Sequence, residues 1–264
     1  MSMSNLSVTP LRRSLMAPAL LLVALFTSSL HAATTITIRP DSTGTANGDA
    51  FVSSSNATNN YGGAGALAVT TSLSKGAFDS LIRMDLASAK TGFDTAYGVG
   101  QWTITSVLIE LTSGTPNNAI FNSPNTAGQV NVLWFGTDAW TEGAGTPTAA
   151  GTGVTWNDVG ALTTGAQSMG NFAYNTSGTQ QYTLNPSAGF LTDLLNGNQA
   201  SLWLTPGDST VSALFNARSF GTVANRPGLI ITASALAPVP EPSRALLLML
   251  GMSACLLRRR KLQL

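Results

Sequence analysis

Apolar residues recur at every second position through most of this chain. Ile36 and Ile38 alternate with threonines, Ile82, Met84 and Leu86 with Leu81, Arg83 and Asp85, and Val107, Ile109 and Leu111 with Leu108, Glu110 and Thr112. The same period carries Val130, Val132 and Trp134, then Leu202 and Leu204, then Val211, Ala213 and Phe215, and finally Leu229 and Ile231. A period of two predicts strands with one buried and one wet face, and the Gly, Asn, Ser and Thr between the runs suit turns. One stretch departs from the pattern. In residues 186–197, Phe190, Leu191, Leu194 and Leu195 form a helical stripe that Ser187 can cap and Gly197 can end. Residues 91–101 read as a loop. Many antiparallel strands and a single short helix predict an all-β fold, an antiparallel jelly-roll β-sandwich.

The two ends obey different rules. Residues 1–33 carry Arg12 and Arg13, an apolar core over residues 15–26, and small residues up to Ala32 and Ala33. This is the pattern of a secretory signal peptide cut after Ala32 or Ala33, with an uncleaved anchor as the alternative. Residues 237–264 hold Pro240, Glu241 and Pro242, then a charge-free apolar run of thirteen residues (245–257), then Arg258, Arg259, Arg260 and Lys261. The prolines remove backbone donors and favour an extended, accessible peptide. A membrane-crossing helix needs about 20 residues, so the run spans only with local bilayer thinning and snorkelling of Arg244 and Arg258. The basic cluster after it should stay cytoplasmic, leaving the amino-terminal bulk outside. A plain tail anchor is the simpler alternative.

Setting the ends aside changes the composition. The whole chain has 13 basic and 12 acidic residues, but residues 34–240 hold six basic and eleven acidic ones, a net of −5. Scattered basic residues on an acidic domain give no footprint for nucleic acid. Cys255 lies in the apolar tail and His31 in the leader, so residues 34–240 contain neither type. Disulfides, thiol nucleophiles, Ser-His-Asp triads and zinc sites built on His or Cys are excluded there.

The tail resembles the PEP-CTERM sorting signal of Gram-negative bacteria, in its order of Pro-Glu-Pro, hydrophobic helix and Arg cluster. That resemblance implies an exosortase-type sorting enzyme as partner, after the translocon and signal peptidase. It also implies transient inner-membrane anchoring, and delivery to the cell surface or an exopolysaccharide matrix, with Pro240, Glu241, Pro242, Arg258, Arg259 and Arg260 as recognition residues. A second set of landmarks lies between the ends. It comprises Asp49 to Val52, Asn59 to Gly62, Leu67 to Val69, Leu81 to Leu86, Ile104 to Leu111, Trp140 to Gly143 with Val154 to Asn157, and Ala217 to Ser219 with Arg226 to Leu229. In that order they resemble the DNRLRE-type domains of secreted bacterial proteins, from about residue 35 to 233, and place the domain at 34–236. The resemblance implies a jelly-roll sandwich, usually non-catalytic, grouped with carbohydrate-binding modules and surface proteins.

Candidate chemistry within the domain is of three kinds. Trp140, Trp156 and Tyr61 could stack on sugar rings, or the tryptophans could plug an end of the sandwich; Trp134 is in phase with the core, and Trp203 faces away from Leu202 and Leu204. Asp138 and Glu142 flank Trp140, the arrangement a glycosidase would require if one carboxyl were buried. Asp41, Asp49, Asn59 and Asn60 offer oxygens for a calcium ion, without an EF-hand spacing. Arg83 and Asp85 share a strand face and can pair, and Arg218 and Arg226 can hydrogen-bond loop carbonyls, all three arginines being structural. The reading is a secreted, non-catalytic surface or matrix protein. A carboxylate-dependent polysaccharide hydrolase or lyase, and a purely architectural protein without a ligand, are its rivals.

Overall fold

The computed structural model describes residues 32–71, 76–114, 128–146, 151–174, 178–237 and 250–251. Residues 1–31 of the leader and 238–264 of the tail, apart from helical Leu250 and Gly251, lie outside the described residues. With them lie Pro240, Glu241, Pro242 and Arg258 to Arg260. Among the described residues no helix is long and apolar enough to cross a membrane. His31–Ala237 form one compact unit.

Eleven strands and three α-helices build this unit among the described residues. In chain order they are β1 (Thr34–Ile38), β2 (Gly48–Ser53), β3 (Ala66–Thr70), β4 (Phe78–Asp85), α1 (Ala87–Tyr97), β5 (Trp102–Thr112), β6 (Gly128–Phe135), α2 (Trp156–Leu162), β7 (Gln167–Tyr174), β8 (Thr179–Leu184), α3 (Ala188–Asn196), β9 (Gln199–Pro206), β10 (Ser212–Asn216) and β11 (Gly228–Ala235). One sheet runs β1-β11-β5-β8, the other β10-β3-β4-β9-β6-β7, with β2 paired to β4 as well. All strand pairs are antiparallel, so the unit is an antiparallel β-sandwich.

The alternating residues explain the main core. Val107, Ile109 and Leu111 of β5 and Leu229 and Ile231 of β11 bury against Ile82 and Met84 of β4, Leu202 and Leu204 of β9, and Val130 and Val132 of β6. Each is out of contact with water. Burying one such side chain stabilises the fold by about 1.5–3 kcal/mol before entropy is counted.

The expectation of one wet face per strand fails in the larger sheet. β4 is buried along both faces, because residues from the segment after β6 and from α2 cover its outer side. Leu81, Ala50, Val52 and Phe135 meet Trp140, Val154 and Val159 there, in a second core that Trp156 and Trp203 border. Trp203 faces away from Leu202 and Leu204 as its phase predicts, and its indole donates to Asp79. Trp134 sits at the rim of the main core and donates to Asp193. A Cβ on Gly189 would strike its ring, so glycine there lets α3 settle over the indole.

The single expected helix is α3, where the Ser187 hydroxyl accepts from the Phe190 amide and Gly197 closes the end with φ 69°. Two further helices correct the reading. α1 occupies most of the stretch read as a loop; Gly92 and threonines weaken its propensity, but Ala89 and Phe93 bury at i and i+4 and Phe93 packs on Trp102. α2 begins with a capping box between Thr155 and Asp158. The first and last strands, β1 and β11, lie side by side. The Tyr97 hydroxyl donates to the carbonyls of both Ala32 and Ala233 at 2.8 Å, holding the two ends of the sandwich together.

Candidate functional site

The segment that covers the larger sheet is held by one buried amide. Asn60 donates to the carbonyls of Glu142 at 2.7 Å and Val154 at 2.8 Å, and its oxygen accepts from the amides of Gly62 and Gly145. Three stretches of backbone therefore meet around one side chain. The approach is close enough that a Cβ on Gly143 would land on the Thr152 carbonyl and the Asn60 amide, and one on Gly145 on the Asn60 carbonyl. Gly143 also has φ 80°, which other residues adopt with strain.

Two arginines complete the fastening. Arg83 of β4 donates to the carbonyls of Asp138 and Trp140 at 2.6 Å and of Thr45 at 2.7 Å, and its guanidinium lies 4.9 Å from the Trp140 ring centroid. It makes no pair with Asp85, whose carboxylate instead accepts from the Ala87 amide at the start of α1. Burial pushes the Arg83 guanidinium down, against the pull of Asp138 and Glu142. Arg218 grips both oxygens of Glu142 and donates to the Asp41 carbonyl; Arg226 donates to those of Phe220 and Pro40.

Asp49 lies buried beneath this pair. Its carboxyl accepts from the Arg218 amide at 2.5 Å and hydrogen-bonds the Glu142 carboxylate, and burial pushes it up to about 7. Asp49 and Glu142 thus meet beside one guanidinium. Asp138 is likewise raised by burial, with the Ser201 hydroxyl holding it back. That hydroxyl accepts from the Trp140 indole and donates to Asp138.

Two shallow grooves flank Trp140. One, of about 370 Å³, is lined by Trp140, Thr152, Val154, Asp158 and Leu162 among others. The other, of about 380 Å³, brings Asp138, Glu142, Arg83, Arg218, Asn47 and Gln199 to one concavity.

The predicted stacking platforms fare unequally. Trp140 is only 5% exposed and Tyr61 only 4%, and Tyr61 stacks on Phe51 with ring centroids 4.6 Å apart. Both rings are spent inside the fold, which corrects their reading as open sugar platforms. Trp156 is half-buried at the edge of the second core. Asp138 and Glu142 do face one groove. Of the calcium set, Asn60 is consumed as the staple, Asp49 accepts from the Arg218 amide, and Asp41 accepts from Asn47 close to Arg218. The cation these acids gather around is Arg218. Among the described residues no three His, Cys, Asp or Glu side chains are arranged to hold a metal. Sequence reasoning passed over Gln199, and it missed the roles of Asn60 and Asp49. The paired glycines at 62 and 63 and at 143 and 145 were the available signal of close backbone packing.

Comparison with known proteins adds little. No family model matches the chain, and no curated protein matches it. Among solved structures, a cryo-EM structure of Mud crab tombus-like virus is similar at 12% identity over 91% of this chain and 98% of that one, with a TM-score of 0.24. Similarity that loose carries no argument about fold or function.

Proposed function

We propose that this protein is exported, held briefly in the inner membrane by its tail, cut by an exosortase-type enzyme, and placed at the cell surface or in an exopolysaccharide matrix of a Gram-negative bacterium. There it acts as a passive, glycan-associated β-sandwich of the jelly-roll, DNRLRE-like kind. The observation that carries the reading is the ordered tail: Pro240, Glu241 and Pro242, a charge-free run, then four basic residues, following directly on an antiparallel sandwich. Several of its landmark stretches fall on β2, β3, β4, β5, the segment fastened by Asn60, and β11, while Asn59 to Gly62 and Ala217 to Ser219 lie in connections, and this order supports the domain resemblance.

The rival hydrolase or lyase would draw on the groove where Asp138 and Glu142 meet. Passive behaviour is supported by Glu142 being braced on both oxygens by Arg218, which makes it a structural anchor rather than a free acid.

Replacing Pro240, Glu241 and Pro242 with alanine should leave uncut protein in the inner membrane, detected by fractionation of the host and mass spectrometry of both termini. Normal processing would overturn the sorting proposal. Release of reducing ends from exopolysaccharide by the purified protein, abolished by Asp138→Asn, would replace the passive reading with the enzymatic one.

A further inference from the structure

The chain enters and leaves the sandwich at one end. Strand β1 starts where β11 finishes, with Thr34 the cross-strand partner of Ala233, and the Tyr97 hydroxyl bonds the carbonyls of Ala32 and Ala233 there. Ala32, Ala33, Leu236 and Ala237, just outside the paired strands, are all exposed. Any segment attached before residue 32 or after residue 237 therefore departs from this end.

Among the described residues of the sandwich, the large apolar side chains most open to water are Val99, Leu195, Val223 and Leu236. Single exposed apolar residues are ordinary on a protein surface. Val99 and Leu236, however, share the end at which the chain enters and leaves. The turn after α1 closes through the Gln101 amide donating to the Gly98 carbonyl, and the Leu236 amide donates to the Gln101 carbonyl at 2.9 Å. Gly98 and Gly100 flank Val99 with φ 96° and 68°, values that favour glycine. They set Val99 at the tip of the turn, 78% exposed. The charged groups of α1, Lys90 and Asp94, pair with each other.

The sequence that follows supplies the partner. Residues 238–244 separate Ala237 from the charge-free run 245–257, and a fully extended chain of that length reaches about 25 Å at most. With that run in a bilayer, the sandwich is confined to the membrane surface and joined to it through the end that carries Val99 and Leu236. An uncut leader joins the same end.

We infer that this end of the sandwich, presented by Val99 and Leu236, is a membrane-resting surface that sits in the lipid headgroup region until the tail is cut. This rests on the tail-tether reading above and names the surface and its partner. Two aliphatic side chains at the interface bind more weakly than one acyl chain, itself a marginal and reversible anchor. They therefore orient a tethered domain and release a cut one. The groove that contains Arg218 belongs to the other end, since Arg218 donates to the carbonyl of Asp41, past the last residue of β1.

The test uses the full chain, with Pro240, Glu241 and Pro242 replaced by alanine to keep the tail and Cys255→Ser to remove its one thiol. It is reconstituted in vesicles of phosphatidylethanolamine and phosphatidylglycerol. Val99→Cys, Leu236→Cys, Leu195→Cys and Val223→Cys, made singly, each carry an environment-sensitive dye, and circular dichroism with thermal melting checks that each is folded. The expected result is a blue-shifted dye at positions 99 and 236, quenched by spin-labelled lipid at least about twofold more than at 195 and 223. Equal quenching at all four positions, in protein that floats with the vesicles, would overturn this surface and leave membrane attachment standing. Protein that fails to float would overturn attachment and surface together. A shift at 99 and 236 without lipid quenching would make this end a contact between copies and overturn the membrane assignment.

Discussion

Asp49 is the residue whose protonation matters most to this fold. Its carboxyl has an ordinary value of 3.8 and is pushed up to about 7, first by burial and then by Glu142, while the Arg218 amide pulls the other way. Asp79 is pushed up to about 6, again by burial, against hydrogen bonds from Trp203 and Thr205. An acid whose folded value is raised keeps its proton after the unfolded chain has lost it. From about pH 4 to pH 7 the unfolded state therefore binds fewer protons, and stability falls as pH rises. Asp49→Asn reproduces the protonated carboxyl, accepting from Arg218 and donating to Glu142. It should flatten this slope: the drop in melting temperature between pH 5 and pH 8 should shrink relative to wild type in a calorimetric series. Asn60→Ala removes four hydrogen bonds and orphans buried carbonyls and amides, so chemical denaturation should show a loss of about 3 kcal/mol or more. Neither role was legible in the residue types, because an Asp and an Asn near glycines equally suit a cation site. Only partners far along the chain decide between the two, Arg218 for Asp49 and Glu142, Gly145 and Val154 for Asn60.

Elements differ in how plainly their sequences announce them. β4, β5, β6, β9 and β11 follow from alternation, and α3 follows from its stripe and caps, since in each the local period and the tertiary burial agree. α1 was hidden by Gly92, whose lack of a side chain is needed where Ile36 presses against the helix. β8 is a polar edge strand, and most of its side chains meet water, so no apolar period marks it. The segment fastened by Asn60 is an element in its own right although it is neither helix nor strand. Gly143→Ala should cost about 2 kcal/mol or more through positive φ and collision with Thr152. Thr155→Ala should cost about 1 kcal/mol by opening the α2 capping box. Comparing the two variants in limited proteolysis should show cleavage near residues 138–154 rising much more for the glycine variant.

At the scale of the whole molecule, the sandwich holds without histidine or cysteine between residues 34 and 240, and its buried charges are neutralised internally. Glu142 and Asp41 turn to Arg218, Glu110 to Arg39, and Arg83 to three carbonyls. With Asp49 and Asn60 of the proposed calcium set engaged by Arg218 and by backbone, a chelator such as EDTA should leave the melting temperature unchanged in differential scanning fluorimetry. A clear fall would show that a cation does share this site. The chain by itself determined the β class, the position of α3, the acidity of the domain and the order of prolines, apolar run and basic cluster in its tail, because these rest on period, capping and charge counted along the sequence. Tertiary structure alone decided that β4 is buried on both faces, that Trp140 and Tyr61 are walls rather than platforms, and that Arg218 comes to lie against Asp41 and Asp49. Those facts depend on which distant residues fold over each face, and a local pattern of apolar and polar positions carries no record of that.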